Sequence, residues 1–185
     1  MTGVQTCALP ISSYPIGAIY QNTAPNETSP FVIPGTYTAR MTVEGKQYDQ
    51  VFNIKMDPRV KTSVADLQKQ HDLSLQCYEG RKKCMEILKE IRAFRSQLKS
   101  QLTDATSSVT EKLGPLEKQA GQLENTPQNS QEPSFGRLNS AFGSLFNVLQ
   151  ENDMPPTSQA ITGVADSQKQ LQQLLMKWKE LKSKL

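Results

Sequence analysis

Few residues in this chain could do chemistry, and their spacing decides how each is read. His71 is the only histidine and Asp72 follows it, which suggests a general base with an orienting carboxylate. That chemistry needs both groups in hydrogen-bond reach of each other and of a nucleophile. Consecutive residues of a helix face apart, so a structural or solvent-facing role is expected. Cys77 and Cys84 come next. With three cysteines, one histidine and no C-x-x-C pair, the usual zinc ligand sets are not met. Seven helical residues separate the two thiols by about 10 Å along the axis, beyond the roughly 7 Å between Cα atoms that a disulfide tolerates. Both are expected to act as small buried apolar side chains. The sequon Asn26-Glu27-Thr28 matters only in a eukaryotic secretory route. Trp178 sits at a spacing that suits a core residue better than a ligand platform. No Gly-rich phosphate loop, Ser/His/Asp set or convincing carboxylate pair occurs. The chain is therefore read as having no catalytic, cofactor-binding or metal-ligating residue, and as a packing and interaction module.

Charge and hydropathy narrow the partners. Residues 58–102 carry ten Lys/Arg against five Asp/Glu, including the run Arg81-Lys82-Lys83. Glutamates at helical spacing make this a solvated face, and a formal net charge of +3 is too small to argue for nucleic acid. No apolar run reaches the roughly 18–20 residues of a membrane helix.

The elements that would position these residues follow from periodicity. Tyr37, Ala39, Met41 and Val43 alternate with polar residues, as in a half-buried strand. Glu44-Gly45-Lys46 supplies a tight turn. Tyr48, Phe52, Ile54 and Met56 then share one face of a second strand, which Asp57-Pro58 ends. A further short strand is expected at Ile16–Tyr20. Such a hairpin is marginal alone, and its one-sided apolar face suits two strands of an immunoglobulin-like sandwich whose other strands lie upstream.

From residue 63 the pattern is helical. Ser63 and Asp66 form a variant capping box. Cys77, Cys84, Ile91 and Leu98 repeat at seven, broadened by Leu88 and Phe94 and continued by Leu102, which predicts one helix over 63–102. Val109, Leu113, Leu116, Ala120 and Leu123 mark a second, with a kink or restart at Gly114-Pro115. A third follows Ser134, with Leu138, Phe142, Leu145 and Leu149 inward. Thr157 caps a fourth, with Ile161, Val164, Leu171, Leu174, Trp178 and Leu181 inward. The connections are short enough for antiparallel neighbours, and the stripes are narrow and coiled-coil-like. The expected fold class is mainly α: an antiparallel four-helix bundle with a long first helix, preceded by a β-hairpin remnant of an immunoglobulin-like sandwich.

Two resemblances bear on this plan. Residues 1–11 (MTGVQTCALPI) resemble one reading frame of a common short-read sequencing adapter, in which a GTG start codon supplies Met1 and the trailing T fits Ser12. They are expected to be no part of the native protein, which leaves 12–57 as a partial sandwich segment and 58–185 as a helical tail of a chain truncated at its N-terminus. The second resemblance is carried by Pro34-Gly35-Thr36-Tyr37, Val43-Glu44-Gly45, Gln50, Phe52-Asn53-Ile54 and Asp57-Pro58-Arg59, with Ala65-Asp66-Leu67 beyond. This stretch is similar to the C-terminal region of large bacterial β-propeller proteins related to the sortilin ectodomain, usually labelled glycosyl hydrolases or sialidase-like Asp-box proteins. The likeness runs from about Tyr14 to the end and is strongest at 30–70; the helices match only in pattern.

The resemblance implies a secreted or periplasmic parent whose propeller lies upstream. The chain has no Asp-box, so no catalytic residue is carried over. It also implies a non-catalytic C-terminal accessory or interaction segment, whose partners are the propeller and sandwich strands of its own parent chain or another protein bound through the helical tail. A free-standing coiled-coil adaptor and a fragment of a sialidase-like hydrolase are the alternatives.

Overall fold

The computed structural model describes residues 29–103, 107–127 and 129–184. The adapter-like segment with Cys7, the strand expected at Ile16–Tyr20 and the sequon lie outside them. The order of elements is β1 (Gly35–Val43), β2 (Lys46–Ile54), α1 (Val64–Thr103), α2 (Ser107–Glu124), α3 (Phe135–Gln150) and α4 (Ser158–Lys182). The described residues are thus mainly helical, with a two-stranded antiparallel hairpin ahead of four helices.

The hairpin closes on a two-residue turn. Gly45 takes φ 78° and Glu44 φ 49°, the left-handed pair that matches the twist of the flanking strands. Glycine adopts it freely, whereas Glu44 holds it against the usual preference of an L-residue. The register pairs Tyr37 with Phe52, Ala39 with Gln50 and Met41 with Tyr48. These side chains share one face, as the alternation requires.

α1 starts at its expected cap. The Ser63 hydroxyl accepts the Asp66 N–H at 3.1 Å and donates to the Asp66 carboxylate at 2.6 Å. Ser134 and Thr157 cap α3 and α4 in the same way, accepting from the N–H groups of Arg137 and Ala160. Each satisfies one of the orphan donors at a helix start.

α1 is the strut on which the other helices are laid. α2 runs back along its C-terminal half, where Arg95 bonds Glu117 and Arg92 bonds Glu124. α3 runs back along its N-terminal half, with Phe142 against Gly80 and Gln150 against Ser74. α4 then ascends beside α1, Gln168 reaching Gln76 and Trp178 reaching Glu90. α2 and α3 therefore descend in succession, and α1 and α4 run parallel. Antiparallel neighbours hold for α1/α2 and α3/α4 but not for α2/α3, because the loop between them carries the chain onward instead of reversing it.

The core joins Cys77, Cys84 and Ile91 of α1 to Ala120 of α2, Phe135, Phe142 and Phe146 of α3, and Val164, Leu174 and Trp178 of α4. All four members of the seven-residue repeat, Cys77, Cys84, Ile91 and Leu98, are buried. α1 also buries Leu67, Leu73, Tyr78, Ile87 and Leu88. Its stripe is broad, not narrow, because three helices cover it. Gly80 has a packing reason: a Cβ there would stand 2.6 Å from the Phe142 ring, so only glycine lets the ring lie against α1.

Several inward assignments shift. In α3, Phe135 and Phe146 are buried while Leu145 is only half-buried, since the contact face follows a 3.6-residue period. In α4, Ala160 is buried in place of Ile161, continuing a 4-3-4-3 series through Val164, Ser167, Leu171, Leu174, Trp178 and Leu181. In α2, Val109 is 37% exposed, and burial grows only toward Ala120, where α4 arrives. No restart occurs at Pro115, which lies inside one continuous helix on an exposed position. There the carbonyl that lacks a donor can be hydrated.

Candidate functional site

Sequence reasoning assigned no site residue, and the groups it weighed sit as follows. His71 Nδ1 lies 3.3 Å from the Asp72 carboxylate. The expectation that these neighbours face apart is thus corrected: both side chains bend along the helix surface far enough to meet. Asp72 also accepts from Gln68 at 2.8 Å. Arg81-Lys82-Lys83 is split by the helical rotation. Lys83 pairs with Glu86, Lys82 points to solvent, and Arg81 lies beside Gly143 with its Nε buried and unpaired. The run is not a single basic patch.

Cys77 and Cys84 are free, buried thiols, and burial pushes both up to about 12. A thiol so poised stays protonated and inert at neutral pH. Trp178 is a core residue. Its ring meets Phe94 edge-to-face at 5.3 Å, its Nε1–H donates to Glu90 at 3.1 Å, and Lys182 lies over its face. The bond from Trp178, then that from Lys182, hold the Glu90 carboxyl below its ordinary range.

A cleft of about 360 Å³ lies between α2, the 132–133 segment and the end of α4, with Glu132, Glu180, Lys177 and Lys184 in its wall. Glu180 is ion-paired with Lys184 at 3.2 Å. Both glutamates are exposed.

The hairpin is the region whose surroundings do not match its composition. On the face of Tyr37, Ala39 and Phe52, Met41 is 59%, Val43 47% and Tyr48 53% exposed. Tyr37 and Phe52 stack across the strands, 6.1 Å between centroids, which fixes the face as one surface. The opposite face is mostly polar. Arg40 grips Asp49 with two 2.7 Å bonds, and Thr36 bonds Asn53 at 2.7 Å. The bond from Arg40 keeps the Asp49 carboxyl below its usual range. Among the described residues, neither strand packs against a helix.

No protein-family model, curated protein or solved structure matches the chain. The signal for the exposed face was present in the sequence, as alternating apolar residues on both strands; that nothing among the described residues covers it was not.

Proposed function

We propose that this chain is a non-catalytic interaction segment of a larger polypeptide. Its helical bundle is a self-contained stalk, and its hairpin completes a β-sheet contributed by the rest of that polypeptide. Following the resemblance, the parent is an exported β-propeller protein of the Asp-box type. The observation that carries the reading is the largely apolar hairpin face, exposed beside a bundle that buries its own stripes without it.

The size of the face supports a partner in the same polypeptide. Nine residues at about 3.4 Å each and two strands about 4.8 Å apart give a face of roughly 300 Å². A standard interface between free proteins needs about 800 Å² from each partner. A tethered partner meets a far higher effective concentration and can use a small surface. The two-residue turn makes Val43 and Lys46 the bonded closing pair. The outward backbone groups then belong to Thr36, Thr38, Arg40 and Thr42 on one edge and to Gln47, Asp49, Val51 and Asn53 on the other. Neither strand contains a proline, so both edges can accept a further strand.

The test is hydrogen exchange over residues 36–54, in this chain alone and in the chain extended by its upstream reading frame. The extended protein is expected to protect these amides at least a hundredfold more. Equal exchange in the two would overturn the reading. The hydrolase alternative is tested on the cleft. Aryl glycosides and sialosides are expected to turn over at background rates, unchanged by Glu132→Gln or Glu180→Gln.

A further inference from the structure

The hairpin leaves the bundle through two single-stranded connections, and both are tied to the same end of it. The departing chain is held at Thr62, whose hydroxyl donates to the Asp153 carbonyl. The entering chain is held at Phe31, whose backbone N–H donates to Gln150 Oε1 at 2.7 Å.

Gln150 is the last residue of α3 and is buried. Its Nε2 donates to Ser74 Oγ at 3.2 Å, and that hydroxyl donates to the Gln70 carbonyl at 2.8 Å. A buried carboxamide is unfavourable unless both its ends are bonded. Here one end takes a hydroxyl of the bundle and the other takes the root of the hairpin. The seat is itself fixed, because Gln70 Nε2 donates to the carbonyls of Leu149 and Asn152 and ties the end of α3 to α1. Phe31, Ile33, Pro34 and Met56 close over this junction and leave a space of only about 40 Å³.

We infer that Gln150 is a clasp that locks the orientation of the hairpin on the bundle, so that the apolar face is presented rigidly and not on a swivel. An amide at the end of an amphipathic helix adds nothing to packing that leucine would not. Its distinctive property is that it accepts and donates at once, and these two bonds join segments 119 residues and 76 residues apart in sequence. A face held in one orientation gives up less freedom on docking. The inference rests on contacts at the hairpin root and stands whichever partner covers the face.

The test is ¹⁵N relaxation and amide exchange on the full chain. In the unaltered protein, hairpin amides 36–53 are expected to tumble with the bundle. Gln150→Leu is expected to speed exchange of the Phe31 amide at least tenfold and to decouple the hairpin's relaxation, with the amides of 84–98 unchanged. Phe31→Pro removes the donor without altering any bundle residue and should decouple the hairpin in the same way, whereas Phe31→Ala, which loses the ring but keeps the donor, should leave it coupled; this pair decides the matter if Gln150→Leu unfolds the bundle. A hairpin that already tumbles independently in the unaltered protein would overturn the clasp. So would a hairpin that keeps its coupling after loss of the Phe31–Gln150 bond.

Discussion

The hairpin and the bundle are built by the same rule and end in opposite conditions. Each places apolar residues at the period of its backbone, two for the strands and near 3.6 for the helices. In the bundle every stripe meets another, and Ile91, Phe142, Val164 and Leu174 are fully buried. In the hairpin the stripe of Tyr37, Met41, Tyr48 and Phe52 meets none among the described residues. The comparison teaches that periodicity assigns a face to each element but not its cover. Burial, which brings most of the stabilisation, belongs to the pairing of faces and not to any one of them.

The largest effect expected from this contrast is in hydrogen exchange. Amides of 84–98 should open only with the whole bundle, and those of the hairpin by local opening, so their rates should differ by roughly a thousandfold or more. Equal protection would erase the distinction between the two regions.

Truncation of the core comes next. Phe142→Ala should cost about 3–5 kcal/mol in a chemical melt followed by Trp178, the only tryptophan. Gly80→Ala attacks the same contact from the other side. The added Cβ would lie within 2.9 Å of three atoms of a fully buried ring. A loss of about 1–3 kcal/mol from overpacking should outweigh the roughly 1 kcal/mol that alanine brings to a helix interior. A stabilised Gly80→Ala would mean that the ring does not lie there.

A smaller effect is expected with acid. Glu90 is held below its ordinary value by Trp178 and then Lys182. Burial pushes Glu124 up, but bonds from Arg92 and Arg95 outweigh it and lower it on balance. A carboxylate lowered in the folded state stabilises fully above its unfolded value, here near 4.5, and that contribution disappears as pH falls through the folded value. Bundle stability should therefore be level above about pH 5 and decline below it. Each partly exposed pair is worth at most about 1 kcal/mol. Glu90→Gln should flatten part of the decline in a pH series of melts.

The smallest effect is on the hairpin face itself. Met41→Ser should change bundle stability by less than about 0.5 kcal/mol. A shift of several degrees in the bundle's melting temperature would show that the two regions share a core.

The sequence by itself determined much of this protein. The cap of α1 at Ser63, the two-residue turn at Gly45, the heptad of Cys77, Cys84, Ile91 and Leu98, and the hairpin's two faces follow from local chemistry and period. These are rules that neighbouring residues enforce on one another. Tertiary structure alone decided the rest. That Phe135 and Phe146 are buried while Leu145 is only half-buried depends on where α1 lies, and that depends on Gly80 admitting a ring. That α2 and α3 descend in succession depends on how a polar loop settles between two helix ends. Gln150 was unreadable as a clasp, because both its partners are distant in sequence and a lone glutamine at a helix end carries no period. Long-range contacts of this kind exist only once the elements have met, since the hydrogen-bond partners that satisfy a buried amide are supplied by the assembled fold and not by its neighbours in the chain.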